Sequence, residues 1–466
     1  MRSIQLLCSL LIVLLPAIAG VAPIGLYAQA AGEYLPDEIV LKLYNAADLG
    51  AVASDYGLNP APLDQFGSRP IFRLRISDGS DPQEKATQIK PEPAAGDLRV
   101  EFAEPNYLAQ DPESRRRSLW VIGGDSGTFA AQWAPETIRL AAAHAQSRGA
   151  GVTVAVLDTG VDPTHPALAG HLSAGFDFVD FDADPREEGI YGVNPGFGHG
   201  THVAGLIALT APEAKIMPVR VLDEDGIGNL WVLTEGLIFA AEHGPDGIAL
   251  SGDEARVINL SLGTLRRTNL LEDIIGEITC RDDDDDDDDG GSDDDDGIIN
   301  DDDDDDDDDR CVDTGGVVVI AAAGNGGNNV PQYPAAESVE GMLAVSASTA
   351  NDNLAAFSTY GSWIALTAPG EAIVSAIPDG KYATWSGTSM AAPLVAGVAA
   401  LVRSADSQLD AVSVTRRLAE TGHAICGPVP VRLDAAAALG AEPSVACDCS
   451  MPYRVFLPSL TTANAP

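Results

Sequence analysis

Between about residues 128 and 440, short apolar segments alternate with longer helical patterns, and this alternation limits the possible folds more than any other feature of the chain. Continuous apolar strands separated by helices are typical of a parallel sheet that is covered on both faces. The predicted strands are GVTVAVLD (151–158), AKIMPVRVLD (214–223), ARVINLSLG (255–263), GVVVIAAAGN (316–325), MLAVSAS and WIALTAPG. The predicted helices are HGTHVAGLIAL, NLWVLTEGLIFAAEHG and SMAAPLVAGVAALVRS. We therefore expect a three-layer α/β domain over residues 118–440.

Residues 31–117 follow a different pattern, which predicts a small α+β unit and a linker. EIVLKLY, PIFRLRI and LRVEFAEPNY alternate as strands do, and DLGAVASDYG is typical of a helix. The polar, basic stretch AQDPESRRRS that follows is typical of an exposed linker open to proteolysis. At the other end of the chain, residues 441–466 are too few for a domain, and we interpret them as a short tail.

The first 30 residues are interpreted as a signal peptide. A basic residue precedes a long apolar run, and AQA at 28–30 supplies small residues for cleavage. The run is also long enough for an uncleaved membrane anchor, but its prolines and the AQA site favour export. In an exported protein we expect disulfide bonds, and Cys280 and Cys311 are the natural pair because they flank one insert.

That insert is a run of aspartates, and the charge of the whole chain is strongly acidic. The formal net charge is −43, and the aspartates occupy 282–289, 293–296 and 301–309. Such a surface repels nucleic acid and anionic membranes, so we expect neither as a partner once the signal is removed. We predict that the insert 282–309 is a disordered, solvated loop, with weak calcium capture as the alternative.

Ser389 lies in WSGTSMAAP, directly before an apolar helical pattern. Two interpretations fit this stretch. The side chain of Thr388 or Ser389 could cap the helix, which is the commoner use of these residue types. Alternatively, Ser389 is a nucleophile, which requires a base to take its proton and a carboxylate to orient that base.

Two other stretches contain the groups that a nucleophilic serine requires. Asp158 ends the strand VAVLD, at the sheet edge where ligands gather in open α/β folds, although Asp-Thr-Gly is also a common turn. His199 begins the predicted helix in FGHGTHVAG, and His202 follows three residues later. A histidine pair at this spacing could bind a metal or pack in the core, but the glutamate of HExxH is missing.

Taken together, these stretches resemble the subtilisin-like serine proteases, or subtilases. DTGVD, HGTHVAG, INLSLG, AAAGN and GTSMAAP follow the blocks of that family in order, and EPNY resembles the end of its inhibitory pro-segment. The chain order Asp, His, Ser is that of subtilisin. The resemblance implies a secreted serine endopeptidase that acts on proteins or peptides. It also implies that residues 31–117 are an inhibitory pro-segment, removed on maturation.

Position by position, the resemblance implies a role for each candidate residue. Asp158 would orient His199, the general base and acid, and Ser389 would be the nucleophile. Asn325 would donate to the oxyanion, and His202 would be structural. The positions expected to pair with substrate backbone or to wall the pocket are Ser261, Leu262, Gly263, Ala323 and Gly324.

The chain also departs from the family pattern. His165-Pro166 is followed by Ala167, where many relatives have an aspartate calcium ligand, so that calcium site is in doubt. We expect no cofactor for the chemistry and leave structural calcium open, with no site assigned. Between INLSLG and AAAGN, where the family usually has one helix, this chain inserts the aspartate tract.

Two rival functions belong to other classes. One is a catalytically idle, acidic calcium-binding protein on a subtilase scaffold, which the complete set of candidate catalytic residues disfavours. The other is an α/β-hydrolase esterase, which would require G-x-S-x-G and the chain order Ser, Asp, His.

Overall fold

The computed structural model of the chain describes residues 33–90, 96–113, 121–244, 252–279 and 315–444. The predicted signal peptide, the aspartate insert with Cys280 and Cys311, and the end of the predicted tail lie outside the described residues. The strands are β1 (Tyr34–Leu43), β2 (Asp64–Gln65), β3 (Ile71–Arg75), β4 (Val100–Gln110), β5 (Val121–Ile122), β6 (Thr153–Asp158), β7 (Phe176–Asp177), β8 (Lys215–Arg220), β9 (Ile227–Asn229), β10 (Val257–Leu260), β11 (Val318–Ala322), β12 (Met342–Ser348), β13 (Leu366–Pro369), β14 (Ile373–Ile377), β15 (Lys381–Trp385), β16 (His423–Ala424) and β17 (Val431–Arg432). The α-helices are α1 (Leu49–Tyr56), α2 (Pro82–Ile89), α3 (Ser126–Ala130), α4 (Trp133–Thr137), α5 (Leu140–His144), α6 (His199–Thr210), α7 (Leu230–Ile238), α8 (Asn269–Thr279), α9 (Thr388–Ala405), α10 (Ala411–Glu420) and α11 (Ala435–Ala438).

The N-terminal unit is an antiparallel sheet with two helices on one face. Its strands run in the order β2-β3-β1-β4, and β9 from the larger unit joins the edge beside β4. Ile39, Leu41 and Leu43 of β1 pack in one cluster with residues of α1 and α2, whereas Val40 points the other way, into the cluster that contains Trp231. This period-two alternation is what lets one sheet pack on two sides. The predicted α+β unit is confirmed.

The sequence prediction did not include α2, although its start carries a recognisable signal. Asp81 precedes Pro82, and the Asp81 side chain accepts from the backbone N–H groups of Gln83 and Glu84. Aspartate at the N-cap followed by proline at the first helical position is a common way to begin a helix.

The larger unit contains a nine-stranded sheet in the order β16-β17-β13-β12-β11-β10-β6-β8-β7. Its neighbouring strands are parallel except for the short edge pair β16 and β17. The strands are buried on both faces, as their continuous apolar sequences predicted. Val154 and Val156 of β6 face α6 and α9, whereas Ala155 and Leu157 face α7 and α8. The predicted three-layer α/β domain is therefore confirmed.

Helix α9 is the longest described helix and crosses the centre of one layer. Its 18 residues are long and apolar enough to span a membrane, but 89% of that window is buried inside the protein, as in a core helix. The N-terminus of α9 lies at the carboxyl edge of the parallel sheet, where β6, β10 and β11 end side by side. This edge brings together the candidate residues of DTGVD, INLSLG, AAAGN and GTSMAAP, as open α/β sheets commonly do.

The helix that the family usually has between INLSLG and AAAGN is present as α8, and in the sequence the aspartate tract follows it rather than replacing it. Helix α8 ends at Thr279, and the next described residue is Gly315, shortly before β11. The backbone N–H of Val317 donates to the carbonyl of Ile278 at 2.9 Å. The described residues on either side of the insert therefore meet at the amino end of β11, the edge of the sheet opposite Ser389.

Candidate active site

Asp158 and His199 form a buried hydrogen-bonded pair. Asp158 is the last residue of β6 and His199 is the first of α6, and their side chains are 0% and 1% exposed. His199 Nδ1 lies 2.7 Å from Asp158 Oδ1. Asp158 Oδ1 also accepts from the backbone N–H of Thr159 at 2.8 Å, so the carboxylate is held by its own turn. This geometry fixes the imidazole with its Nε2 facing away from Asp158.

Ser389 is the second residue of α9 and is fully buried in this structure. Its hydroxyl donates to a carboxylate oxygen of Glu113 at 2.7 Å and approaches the carbonyl of Ser261 at 3.3 Å. The N-cap residue of α9 is Gly387, which makes no side-chain cap. The geometry therefore disfavours the interpretation of Ser389 as a helix cap.

The proline of the motif explains one further contact of Ser389. Pro393 lies four residues after Ser389 and has no N–H, so the Ser389 carbonyl lacks its usual helical donor. The hydroxyl of Ser261 donates to that carbonyl at 3.1 Å. Ser261, predicted as a substrate-binding position, thus ties the end of β10 to the start of α9.

Asn325 follows β11 and presents its amide nitrogen to the same centre. Its Oδ1 accepts from the backbone N–H and the hydroxyl of Thr388, at 2.9 and 3.1 Å. With the oxygen occupied in this way, Nδ2 points toward Glu113 and donates to Oε1 at 2.8 Å. The orientation of the amide is therefore set by the residue next to Ser389.

The carboxylate of Glu113 is the point at which these groups converge. Oε2 lies 2.7 Å from Ser389 Oγ and 3.2 Å from His199 Nε2, and Oε1 accepts from Asn325. A Cβ atom at Gly387 would lie 1.7 Å from Oε1, so glycine at this position leaves room for the carboxylate where it lies in this structure. Glu113 occupies the space where the carbonyl group of a bound peptide would need to lie to meet the same three side chains.

The environment of His199 favours its charged form. Burial alone would lower the pKa of His199, but the charge of Asp158 and the hydrogen bonds to Asp158 and Glu113 together raise that pKa well above its ordinary value. A histidine between two carboxylates is thus held as an imidazolium while Glu113 is in place.

The chain that leads to Glu113 lies in the cleft as an added strand. Gln110 exchanges two backbone hydrogen bonds with Gly263, at 2.9 and 3.0 Å. On the other side of this segment, Leu108, Ala109 and Gln110 pair with β9, and the N–H of Asp111 donates to Gly226 at 3.1 Å. Backbone pairing on both sides is how an extended peptide is held by β-addition. Of the predicted substrate-binding residues, Gly263 makes this contact.

Leu262, Ala323 and Gly324 have less direct positions. Leu262 and Ala323 are buried in the core cluster on the α7 side of the sheet. A cavity of about 240 Å³ lies beside Pro112, and its lining includes Gly263 and Asn325 but neither Ala323 nor Gly324. The lining residues of the larger unit that the sequence prediction missed are Leu265, Gly326, Asn328, Val330 and Gln332. Gly324 adjoins this set, because a Cβ there would lie 2.1 Å from the Gln332 side chain.

His202 lies beneath the centre and packs as a core residue. Its ring stacks on Trp385 with centroids 4.9 Å apart, and Nε2 lies 3.2 Å from the carbonyl of Ala383. Burial, with a smaller contribution from the charge of His199, lowers the pKa of His202 to about 3. His202 is therefore neutral at ordinary pH, in keeping with a structural role.

Among the described residues, the one group with ligand atoms close enough to hold a metal ion is part of this centre. Asp111, Glu113 and His199 each bring a ligand atom within 4.8 Å of the others. Two of these residues lie on the N-terminal segment and the third is the candidate base, so they do not form a separate metal centre. Subtilases commonly bind structural calcium, and nothing in the described residues assigns such a site here.

Comparison with known proteins decides the family. The model of the subtilase family (Peptidase_S8) matches residues 149–431, which include every candidate catalytic residue. The chain belongs to the subtilase family. As a subtilase with this fold it is a subtilisin-like serine endopeptidase.

Relatives of this subtilase include characterised proteases. It is 37% identical to thermitase from Thermoactinomyces vulgaris over 283 residues, which is 59% of this chain and 82% of that one. It is 35% identical to the thermophilic serine proteinase of Bacillus sp. strain AK1 over 387 residues, covering 80% of this chain and 79% of the other. The second match extends over most of both chains, and so beyond the region that the family model covers.

A solved structure shares the fold over nearly the whole chain. Fervidolysin from Fervidobacterium pennivorans superimposes with a TM-score of 0.64 and 21% identity. The match covers 89% of this chain and 62% of fervidolysin. At that identity the likeness concerns the fold alone.

Besides the lining residues of the cavity, Glu113 is a residue of the site that the sequence did not predict. It lies in the stretch interpreted as a linker, AQDPESRRRS, where a single glutamate among polar residues carries no signal of burial. The nearby EPNY motif pointed to the right segment, but the contact with Ser389 joins residues 276 positions apart. No local pattern could have indicated it.

Proposed function

We propose that Asp158, His199 and Ser389 are the catalytic triad of this subtilase and that Asn325 is its oxyanion donor. The observation that carries the proposal is the convergence of Ser389 Oγ, His199 Nε2 and Asn325 Nδ2 on one carboxylate group, within 3.2 Å. Nucleophile, base and oxyanion donor must meet at a single reacting carbonyl, and a carboxylate has a similar planar shape and size.

In the proposed reaction, His199 Nε2 takes the proton of Ser389 as Oγ bonds to the carbonyl carbon of the substrate. Negative charge then develops on the carbonyl oxygen, and Asn325 Nδ2 donates to it. Loss of one such donor costs about 3 kcal/mol, the size measured on a subtilisin. His199 gives its proton to the leaving amine, and the C–N bond breaks to leave an acyl-enzyme on Ser389. Water, activated by His199, then hydrolyses the acyl-enzyme.

The N-terminal unit is proposed to be an inhibitory pro-segment that occupies the cleft as a substrate would. Three features support this role: the backbone pairing of Gln110 with Gly263, the position of Asp111 beside Gly226, and the seat of Glu113 at the triad. Removal would require cleavage beyond Glu113, in the linker around Arg115–Arg117, which lies outside the described residues.

Extensive contacts outside the cleft also support the pro-segment proposal. Phe66 stacks on Trp231 with ring centroids 3.8 Å apart. Arg69 pairs with Glu242 and Glu277 of the larger unit, and Lys42 pairs with Asp273. A segment that is held this widely would stay bound after a single cut in the linker.

The proposed enzyme is exported and cleaves proteins or peptides. Export is supported by the signal-like residues 1–30 and by the kinship with the proteases named above. The mature protein is proposed to lack residues 31–117 and to keep the acidic insert 282–309 as an accessory loop. Structural calcium is proposed without a site, and the idle calcium-binding alternative is disfavoured by the complete triad.

The test is the Ser389→Ala variant of the full chain, produced in a host that lacks other secreted proteases. We expect casein hydrolysis to be abolished while far-UV circular dichroism stays unchanged, because one oxygen atom contributes little to packing. The variant should also keep residues 31–117 attached, as mass spectrometry would show. Near wild-type hydrolysis by the variant would refute the triad, and normal processing would refute self-maturation.

A further inference from the structure

Glu187 is a buried carboxylate next to the catalytic pair. It lies in the polar loop PREEGIYG between β7 and α6, and its side chain turns inward while its neighbours Arg186 and Glu188 point outward. Glu187 is 9% exposed, against 50% for the side chain of Glu188. Burying a carboxylate is unfavourable unless donors satisfy it, so its partners indicate why it is there.

Four donors from two elements satisfy the Glu187 carboxylate. Oε1 accepts from the backbone N–H of Gly198 at 3.0 Å and from the hydroxyl of Thr159. Oε2 accepts from the backbone N–H and the hydroxyl of Thr201, at 2.9 and 2.7 Å. Thr159 follows Asp158 directly, and Gly198 and Thr201 flank the start of α6 at His199. One carboxylate therefore joins the turn that holds Asp158 to the helix end that holds His199.

The start of α6 explains why a residue outside the helix is needed to accept hydrogen bonds from its first turn. The N-cap position is Gly198 with φ of +93°, a left-handed conformation that strongly favours glycine. Glycine has no side chain to cap the helix, so the free N–H groups of the first turn need other acceptors. Thr201 donates to Glu187, and Gly200 donates to the Thr159 hydroxyl at 3.0 Å. Glu187 and Thr159 thus replace the missing local cap.

The Glu187 carboxylate lies at the same end of α6 as His199. The positive end of the α6 dipole disfavours an imidazolium on the first residue of the helix. A carboxylate at the same helix end offsets that effect, and the proposed mechanism requires His199 to become charged as Ser389 attacks.

We propose that Glu187 is a positioning residue of the catalytic centre, which sets the placement of Asp158 and His199 and favours the charged form of His199. This inference rests on the proposed triad. Glu187 touches neither Ser389 nor the reacting atoms, and acts through Thr159 and the first turn of α6.

Burial raises the pKa of Glu187 to about 7, with the charge of Asp158 adding to the rise and the bonds from Thr159 and Thr201 opposing it. The charged groups at this end of α6 are Asp158 on the β6 side and His199 on the helix itself. As pH falls below about 7, Glu187 takes up a proton and one oxygen loses acceptor capacity. The acidic limb of activity should therefore contain a contribution from Glu187.

The test compares Glu187→Gln with Glu188→Gln, the same substitution one residue further along at an exposed site. For mature Glu187→Gln enzyme we expect kcat to fall by about 10- to 100-fold with KM within three-fold, because the reacting groups are misplaced while the cleft is intact. The acidic limb of kcat/KM should move to lower pH by about half a unit, because the charge that favours imidazolium is gone. Glu188→Gln should keep both within two-fold of wild type.

A second measurement applies even if the Glu187→Gln variant fails to mature, because it uses full-length protein. In full-length Ser389→Ala protein, NMR follows the low-field proton between His199 and Asp158 as the imidazole titrates. Adding Glu187→Gln should lower the pKa of His199, and adding Glu188→Gln should not.

Unchanged kcat and an unchanged His199 titration in Glu187→Gln would overturn the inference. So would a lower melting temperature with neither kinetic nor titration change, since that result means a structural role alone. If Ser389→Ala remained fully active, the proposed triad itself would fail, an outcome distinct from a silent Glu187.

Discussion

Helix α6, which carries the proposed base, and helices α7 and α8, which contact the N-terminal unit, obtain their caps in different ways. Helix α7 begins after Asn229, whose side chain accepts from Val232 N–H, and α8 begins after Thr268, whose hydroxyl accepts from Leu271 N–H at 3.3 Å. The N-terminal unit then adds a further acceptor to each helix. Asn106 accepts from Trp231 N–H at 3.2 Å, and Glu104 accepts from Asn269 and Leu270 at 2.8 and 3.1 Å.

By contrast, the caps of α6 come wholly from the larger unit. Its N-cap residue, Gly198, has no side chain to accept a hydrogen bond, and Glu187 and Thr159 supply the acceptors. The difference shows which contacts the protein can lose. Helices α7 and α8 keep a local cap if the N-terminal unit leaves, and the caps of α6 do not involve that unit at all. Removal of residues 31–117 should therefore free the cleft while the caps that place Asp158 and His199 stay in position.

The largest effect on the N-terminal unit should come from Phe66→Ala. The ring is 5% exposed and stacks on Trp231 of α7, so truncation removes buried aromatic contact from the interface. A phenylalanine truncation of this kind costs about 3 kcal/mol, which corresponds to inhibition weaker by about 100-fold. The measurement is the proteolytic activity of enzyme whose linker has been cut but whose N-terminal unit is still present. Recording this activity over a range of enzyme concentrations shows how tightly the unit inhibits.

Leu98→Ala is the matched control for Phe66→Ala, because Leu98 lies in the same unit and is 79% exposed. It should leave inhibition unchanged. Equal inhibition by the Phe66→Ala and wild-type segments would show that the α7 contact does not hold the unit in place.

A smaller effect is expected from pH. Burial raises the pKa of Glu104 to about 7, and burial with the charge of Asp64 raises that of Glu235 on α7 to about 8. A carboxyl group whose pKa is raised in the complex binds a proton there and releases it on separation. The complex is therefore tightest near pH 5 and weakens as pH rises through 7 to 8, and the raised pKa of His199 acts in the same direction.

We expect affinity to fall by about 10-fold or more from pH 5 to pH 8. Size-exclusion chromatography at several pH values measures this affinity, as the fraction of the N-terminal unit that stays bound to Ser389→Ala protein after the linker has been cut. Glu235→Gln should flatten the change above pH 7. Tighter binding at pH 8 than at pH 5 would contradict the assignment of these groups.

The smallest effect is expected from deleting residues 282–309 while keeping Cys280 and Cys311. The described residues that precede and follow the insert, at the end of α8 and the start of β11, are already hydrogen-bonded through Val317 and Ile278 at the sheet edge away from Ser389. The catalytic rate should stay within a few-fold, and the melting temperature should change little, or rise at low salt as self-repulsion is relieved. A large calcium-dependent loss of melting temperature confined to the full-length enzyme would instead identify the tract as a metal site.

The sequence predicted the parallel sheet and the meeting of its motifs because those features follow local rules. Apolar strands alternate with helices, and Asp158, Ser261 and Asn325 each lie at the end of such a strand. The position of Ser389 followed from the same logic once its motif was recognised.

Glu113 and Glu187 could not be predicted in this way. Both lie in polar stretches typical of solvated loops, PESRRRS and PREEGIYG, and both are buried only because donors from distant strands and helices surround them. The pocket residues Asn328, Val330 and Gln332 were missed for a related reason. A loop that follows a strand is recognisable, but the direction in which it folds back is set by its tertiary contacts.

Covalent labelling with a fluorophosphonate tests whether Ser389 is the nucleophile. In the proposed mechanism His199 takes the proton of Ser389, and Glu113 blocks the site until the N-terminal unit is removed. We expect mature enzyme to be labelled once, at Ser389, and Ser389→Ala or prior denaturation to abolish labelling. Full-length protein with residues 31–117 still attached should be labelled far more slowly, because the Glu113 carboxylate fills the site. If mature enzyme hydrolyses casein yet carries the label on another residue, or carries none, Ser389 is not the nucleophile.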